Sequence, residues 1–247
     1  MTQPIWRPYC GAAPTPLDLA ARWNVDPVAW IILIILAVLL WRATSARPQQ
    51  RTAAVSALAV LALIFLSPLC ALSSALFSAR TVHHVLLIAL AAPLLARALP
   101  STRVATPFAA ATLLQAAILW GWHLPRAYDA ALSSNGIYLL MQVSLLGSAT
   151  LFWRAFLAAK PWPAAIGQVA TLTQMGLLGA LITLAPRALY APHLATTQAW
   201  GLSPLQDQQL AGLIMWIPAG GVYLAAAIAA GRSGLGQANG QSPLPQP

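Results

Sequence analysis

Charge is what this chain has least of. Of its 247 residues 7% are Asp, Glu, Lys or Arg, and the acids are only Asp18, Asp26, Asp129 and Asp207. A soluble domain carries about 25% charged residues, so an ordinary water-facing surface is excluded. Cysteine is almost as scarce: Cys10 and Cys70 alone cannot build a disulfide framework. No HxxxH, CxxC or HExxH spacing occurs, and there is no GxSxG nucleophile elbow or phosphate-binding glycine loop. No acid or lysine falls deep within an apolar run, which argues against a proton-coupled pump. The N-terminus lacks a short basic segment followed by an apolar stretch and a cleavage site, so the first apolar run is expected to stay as a membrane span.

What remains is apolar. Hydrophobic residues make up 59% of the chain and the mean hydropathy is +0.71, the composition of a polytopic membrane protein. The formal charge of +9 would suggest nucleic acid in a soluble protein. Here the cations are scattered singly, with no basic, aromatic-interleaved surface, and their better use is orientation in the bilayer. An external, proline-rich segment covers 1–26. Seven apolar runs follow, at roughly 27–43, 52–72, 81–99, 105–122, 137–158, 164–185 and 209–231, most near the ~20 residues that span hydrocarbon. Asp26 and Pro27 suit the N-cap and first position of the first helix. Pro68, Pro93 and Pro218 should bend their helices. Trp30, Trp41, Trp120, Trp122 and Trp153 suit the interfaces, and Gly176, Gly179, Gly220 and Gly221 allow close helix approach. The expected fold is all-α: about seven transmembrane helices in a single domain over 27–231, with a disordered, Gly/Ser/Gln/Pro-rich tail at 232–247.

Sidedness follows from the cations. Arg7, Arg22, Arg80, Arg126 and Arg187 fall on the side of the N-terminus. Arg42, Arg47, Arg51, Arg97, Arg103, Arg154, Lys160 and Arg232 fall on the other. The richer side should be cytoplasmic, which places the N-terminus outside and the C-terminus inside. On this topology Cys10, Cys70, His83, His84, His123 and His193 all lie at or just beneath the outer face. The cytoplasmic loops hold none.

Imidazole and thiolate together suit copper or zinc. Adjacent helical residues point about 100° apart, so His83 and His84 cannot easily share one ion, and ligands would have to converge from different helices. A single histidine of this kind is more often an interfacial hydrogen-bonding group than a ligand. Cys10 and Cys70 could equally pair in an oxidising compartment, or Cys70 could simply pack. His123, Arg126, Tyr128 and Asp129 form a second cluster after the fourth run, where Asp129 pairing with Arg126 is the plain alternative to a site. In SPLQDQQLAGLIMWIPAGG (203–221), Asp207 is a ligand, a histidine-orienting group or a cap. Met215 is a soft ligand or, more commonly, packing. Gln115, Gln142, Gln168 and Gln174 are expected to hydrogen-bond between helices.

The pieces YCGAAP (9–14), RWNVDP (22–27), SPLCALSSALFSARTVHHVLLIALAAPLL (67–95), WHLPRAYDAAL (122–132), LLGSATLFWRA (145–155) and SPLQDQQLAGLIMWIPAG (203–220) extend over nearly the whole chain. In them it resembles the CtaG-like caa3-type cytochrome c oxidase assembly factors. That resemblance implies a non-enzymatic role in maturing a haem-copper oxidase in the bacterial inner (plasma) membrane. Its expected partners are oxidase subunits and lipid, and the usual inference is copper held at the outer face and delivered. On this reading His84 and His123 are the leading ligands, with His83, Cys70, Cys10 and Met215 behind them and Asp207, Asp129 and Tyr128 beside them. A metal-independent scaffold for a nascent subunit is the alternative, and a seven-span metal-dependent hydrolase ranks below it. The chain departs from the family pattern at three places where many members carry histidine. These are Arg80, Tyr138 and Gln142.

Overall fold

The computed structural model describes residue 6 and residues 8–45, 47–100 and 107–240. These form helices with no strand among them: α1 (Pro27–Thr44), α2 (Pro48–Leu66), α3 (Pro68–Ala75), α4 (Phe77–Ala98), α5 (Phe108–His123), α6 (Pro125–Ser133), α7 (Asn135–Ala158), α8 (Pro161–Thr183) and α9 (Pro204–Gln237). Six of them, α1, α2, α4, α7, α8 and α9, are long and apolar enough to cross a membrane. α5 corresponds to the expected fourth span. Its 16 residues reach about 24 Å, short of the ~30 Å of hydrocarbon, and it lies against α7 and α8. The start of that expected span, with Arg103, lies outside the described residues, as do Arg7 and the tail beyond 240.

α4 is the axis of the bundle. Of its apolar window 67% is buried, against 17% for α1, and α2, α3, α7 and α9 all lie against it. Its start corrects two expected boundaries. The run 52–72 is not one span, because the chain breaks at Ser67–Pro68. Ser67 is extended and accepts from Leu69 N at 3.2 Å, with Pro68 at the first position of α3. Serine cap and proline together stop one helix and start the next. Cys70 therefore sits on the short α3. Leu76 is the extended residue before α4, which begins at Phe77 rather than 81. Arg80 is thus inside the helix and fully buried, not a loop cation, and drops out of the sidedness argument.

Pro93 and Pro218 act as expected, through a specific device. The helix widens to π geometry over Leu86–Ala91, just before Pro93, and over Met215–Ala219, around Pro218. A proline removes one ladder hydrogen bond and crowds the preceding turn, and a π-turn absorbs both. Trp153 was expected at an interface but is buried, because its indole Nε1 donates to Ile88 O inside the first π segment at 2.9 Å. The helix continuing from α9 runs on to Gly240, into the stretch expected to be disordered. Extending a formed helix avoids the nucleation cost, and Gly234 lies so close to Trp162 that a Cβ there would stand 3.1 Å from the indole.

α8 and α9 approach each other backbone to backbone. A Cβ on Gly212 would lie 2.5 Å from Gly179 O and 2.9 Å from Thr183 N, so backbone meets backbone. Gly212→Ala is expected to destabilise the protein by about 1–3 kcal/mol through overpacking. Gly221→Ala, with nothing within 4 Å of the new methyl, should be neutral or slightly stabilising. Thermal unfolding of both variants in the same detergent checks the contrast.

Candidate functional site

The N-terminal end of α4 is fixed by an acid from another helix. Ser203 and Gln206 form a capping box that opens α9, and this sets Asp207 one turn in. Its carboxylate crosses to the first turn of α4. It accepts from Phe77 N at 2.6 Å, from Ser78 N at 3.1 Å and from the Ser78 hydroxyl. Helix N-termini present free N–H groups and a positive dipole end, and a carboxylate satisfies both. Of the alternatives for Asp207, the structure realises the cap, on a neighbouring helix.

One turn below sit Arg80, His83 and His84, all buried. Their neighbours differ, as helical geometry requires. His83 meets Phe65 of α2 edge-on at 5.0 Å, and both its ring nitrogens lack hydrogen-bond partners. His84 turns to α7 and α5. Gln142 Nε2 donates to its Nε2 at 3.3 Å, and its ring lies 6.5 Å from that of His123. His123 Nδ1 donates to Leu119 O at 2.7 Å, which leaves Nε2 with a free lone pair. The Arg80 guanidinium stands 5.2 Å over the Tyr138 ring. The three places where the family pattern leads one to expect histidine, Arg80, Tyr138 and Gln142, therefore meet in this one cluster.

An aromatic layer closes the cluster from outside. Phe77 stacks on Tyr190 at 3.9 Å and meets Tyr128 at 5.3 Å. Tyr190 donates to His123 O at 2.9 Å, and Tyr128 shares a 2.7 Å hydrogen bond with His193 Nε2. Burial and the nearby Arg80 charge push His193 down to about 3, so it is neutral at physiological pH. Burial also raises the Tyr128 hydroxyl, partly offset by Arg80.

The remaining candidates fall into place around this centre. Cys10 and Cys70 are joined in a disulfide, which withdraws both sulfurs from the ligand set in this form. The N-terminal strap that carries Cys10 is held by Tyr9 stacking on Tyr138 at 5.0 Å and by Trp200 Nε1 donating to Pro14 O. Met215 belongs to the main apolar core, the packing role. Asp129 does not pair with Arg126: its Oδ1 is buried without a partner, while Arg126 is exposed. A cation placed N-terminal to an acid on a helix is the weaker order, and water solvates Arg126 instead. Gln115, Gln142 and Gln174 link helices, through Ser148, His84 and Trp120. Gln168 has no such partner.

Among the described residues no three His, Cys, Asp or Glu side chains converge to hold a metal ion. Sequence reasoning missed Tyr190 altogether, placed Arg80 in a loop, and named His193 without putting it among the site residues. Arg80 was legible in principle, since it lies three and four residues before His83 and His84, on the same helix face. Tyr190 and His193 come from a loop with no periodicity to read.

A family model described as cytochrome c oxidase caa3 assembly factor matches residues 32–113 and 101–233. No curated protein matches, and no solved structure does.

Removing the Asp207 cap leaves the α4 N-terminus with unpaired buried donors, each costing about 1–3 kcal/mol. Asp207→Ala should therefore lower thermal stability more than Asp207→Asn, which keeps one acceptor oxygen. The neutral, buried His193 should also make stability depend on pH. Its folded pKa lies below the unfolded value, so its contribution is whole above about 6.5 and is lost as pH falls from there towards about 3. Unfolding midpoints measured between pH 7 and pH 5 should fall less steeply in His193→Gln than in the wild type. The difference should reach at most about 1.4 kcal/mol per pH unit.

Proposed function

Because the chain belongs to the family of cytochrome c oxidase caa3 assembly factors, we propose that it serves oxidase maturation as a membrane scaffold, holding a nascent oxidase subunit without carrying copper at its histidine cluster. The observation behind this reading is the buried Arg80 guanidinium among His83, His84 and Tyr138. A fixed positive charge in a site of low dielectric repels a second cation, and the sulfurs that would attract copper(I) are bonded to each other. A hydrolase on this site is disfavoured for the same reason, since a catalytic zinc wants three protein ligands and an open position.

The scaffold reading gives a use to the faces that the bundle leaves open. α1 packs on α2 and exposes Trp30, Ile31, Ile34, Ile35 and Val38. Between α1, α2 and α7 runs an apolar groove of about 420 Å³, lined by Ile32, Leu36, Leu61, Leu139 and Val143 with Asp26 and Asn135 also on its wall. A helix of an oxidase subunit and lipid are its natural neighbours. The disulfide supports the orientation. Cys10 and Cys70 are separated by two crossings, α1 and α2, which return the chain to the side it left. Disulfides persist where the compartment is oxidising. This agrees with an external N-terminus in a bacterial inner membrane.

One observation favours the copper reading. The His84 and His123 rings are 6.5 Å apart, near the separation of two imidazoles on either side of one ion with metal–nitrogen bonds of about 2 Å. His123 also holds its Nδ1–H on a backbone carbonyl, as metal-bound histidines do. Against it, the lone pair of His84 Nε2 already accepts from Gln142.

The two readings separate in one experiment. Copper is measured in the purified protein and in His84→Ala/His123→Ala, and oxidase assembly is followed optically in cells lacking the chain and complemented with each form. The expected result is oxidase loss without the chain, rescue by both forms but not by excess copper, and no copper that depends on the two histidines. Stoichiometric copper that disappears in the double variant, together with failed rescue, would establish copper delivery instead.

A further inference from the structure

Arg80 is fully buried, and none of its three side-chain nitrogens makes a hydrogen bond of normal geometry, although the Tyr128 and Tyr138 hydroxyls lie close to it. No described carboxylate pairs with it. The acid that touches the start of its helix, Asp207, spends its oxygens on Phe77 and Ser78. The groups within electrostatic reach of the guanidinium are His83, His84, His193, Tyr128 and Tyr138. None of these is an acid that would supply a negative charge near neutral pH. The Tyr138 ring face, 5.2 Å away, attracts a cation weakly by comparison with a full counter-charge. A buried charge without a counter-charge is strongly unfavourable, even after relaxation. Water would satisfy the N–H groups but leave that charge uncompensated.

We propose that Arg80, with His83 beside it and the hydroxyls of Tyr128 and Tyr138 around it, binds a small monovalent anion of the halide class at the outer end of α4. The donors suit such a guest. A guanidinium offers five N–H groups and no acceptor, and a neutral imidazole adds one more. A dianion such as phosphate would exchange one uncompensated charge for another. His83 adds to the argument, since both of its ring nitrogens are buried without a hydrogen bond of normal geometry, with the Gln142 amide close by, and an anion can take the N–H. Tyr138 both stands under the guanidinium and lines the groove between α1, α2 and α7. This inference does not depend on how the protein serves the oxidase.

The test uses the full chain in detergent, with sodium gluconate exchanged for sodium chloride or bromide at constant ionic strength. The wild type should gain several degrees of thermal midpoint, saturating with halide concentration, while Arg80→Gln stays flat and Arg80→Lys keeps part of the response. Chlorine NMR should show excess chloride line width with the wild type, removed by bromide competition. No halide response in the wild type, or an equal response in Arg80→Gln, would overturn the proposal. If Arg80→Gln does not fold, the wild-type line width decides alone: displacement by bromide supports the site, and a width equal to the detergent blank removes it.

Discussion

The carboxylate of Asp207 decides where α4 begins, and everything around the candidate site is measured from that point. The chain has just turned through α3 and one extended residue, so the first N–H groups of α4 have no helix behind them. Asp207 supplies what they lack, from a helix far away in sequence. Once the first turn is pinned, the helical repeat places Arg80 and then the two histidines at a fixed depth and azimuth. It also fixes Phe77 under Tyr128 and Tyr190. One acid thereby couples α9, α4 and the aromatic layer into a single rigid outer end.

Much of the fold was legible in the sequence because membrane crossing is a question of length and hydropathy. The apolar runs, the Asp26–Pro27 start and the consequences of Pro93 and Pro218 all follow from local rules. The misplaced features have different causes. Ser67–Pro68 reads as a kink inside a long apolar run until the local cap geometry shows two helices. Trp153 reads as interfacial until the π-turn of another helix offers a carbonyl to its indole, a neighbour that periodicity does not reveal. The site was legible as a list of residues and as a side of the membrane, not as an arrangement. Helical geometry correctly separated His83 from His84, but only the folded chain could bring Arg80, Tyr138 and Gln142 together around them.

That arrangement alters the chemistry expected of the cluster. Histidines gathered at the mouth of a membrane bundle invite a cation, and a guanidinium placed among them fills the same space with fixed positive charge. What results is a neutral, hydrogen-bonding and partly aromatic interior built about one permanent cation. Such an interior organises helices well.

The bond between Cys10 and Cys70 has a topological consequence for α1. Only 17% of its apolar window is buried, and its packing is on α2. The sulfur bridge closes α1 and α2 into a covalent ring fastened to α3, while the short connection between the two helices ties the other end. α1 is thus moored to the bundle by covalent bonds beyond both of its ends as well as by its packing.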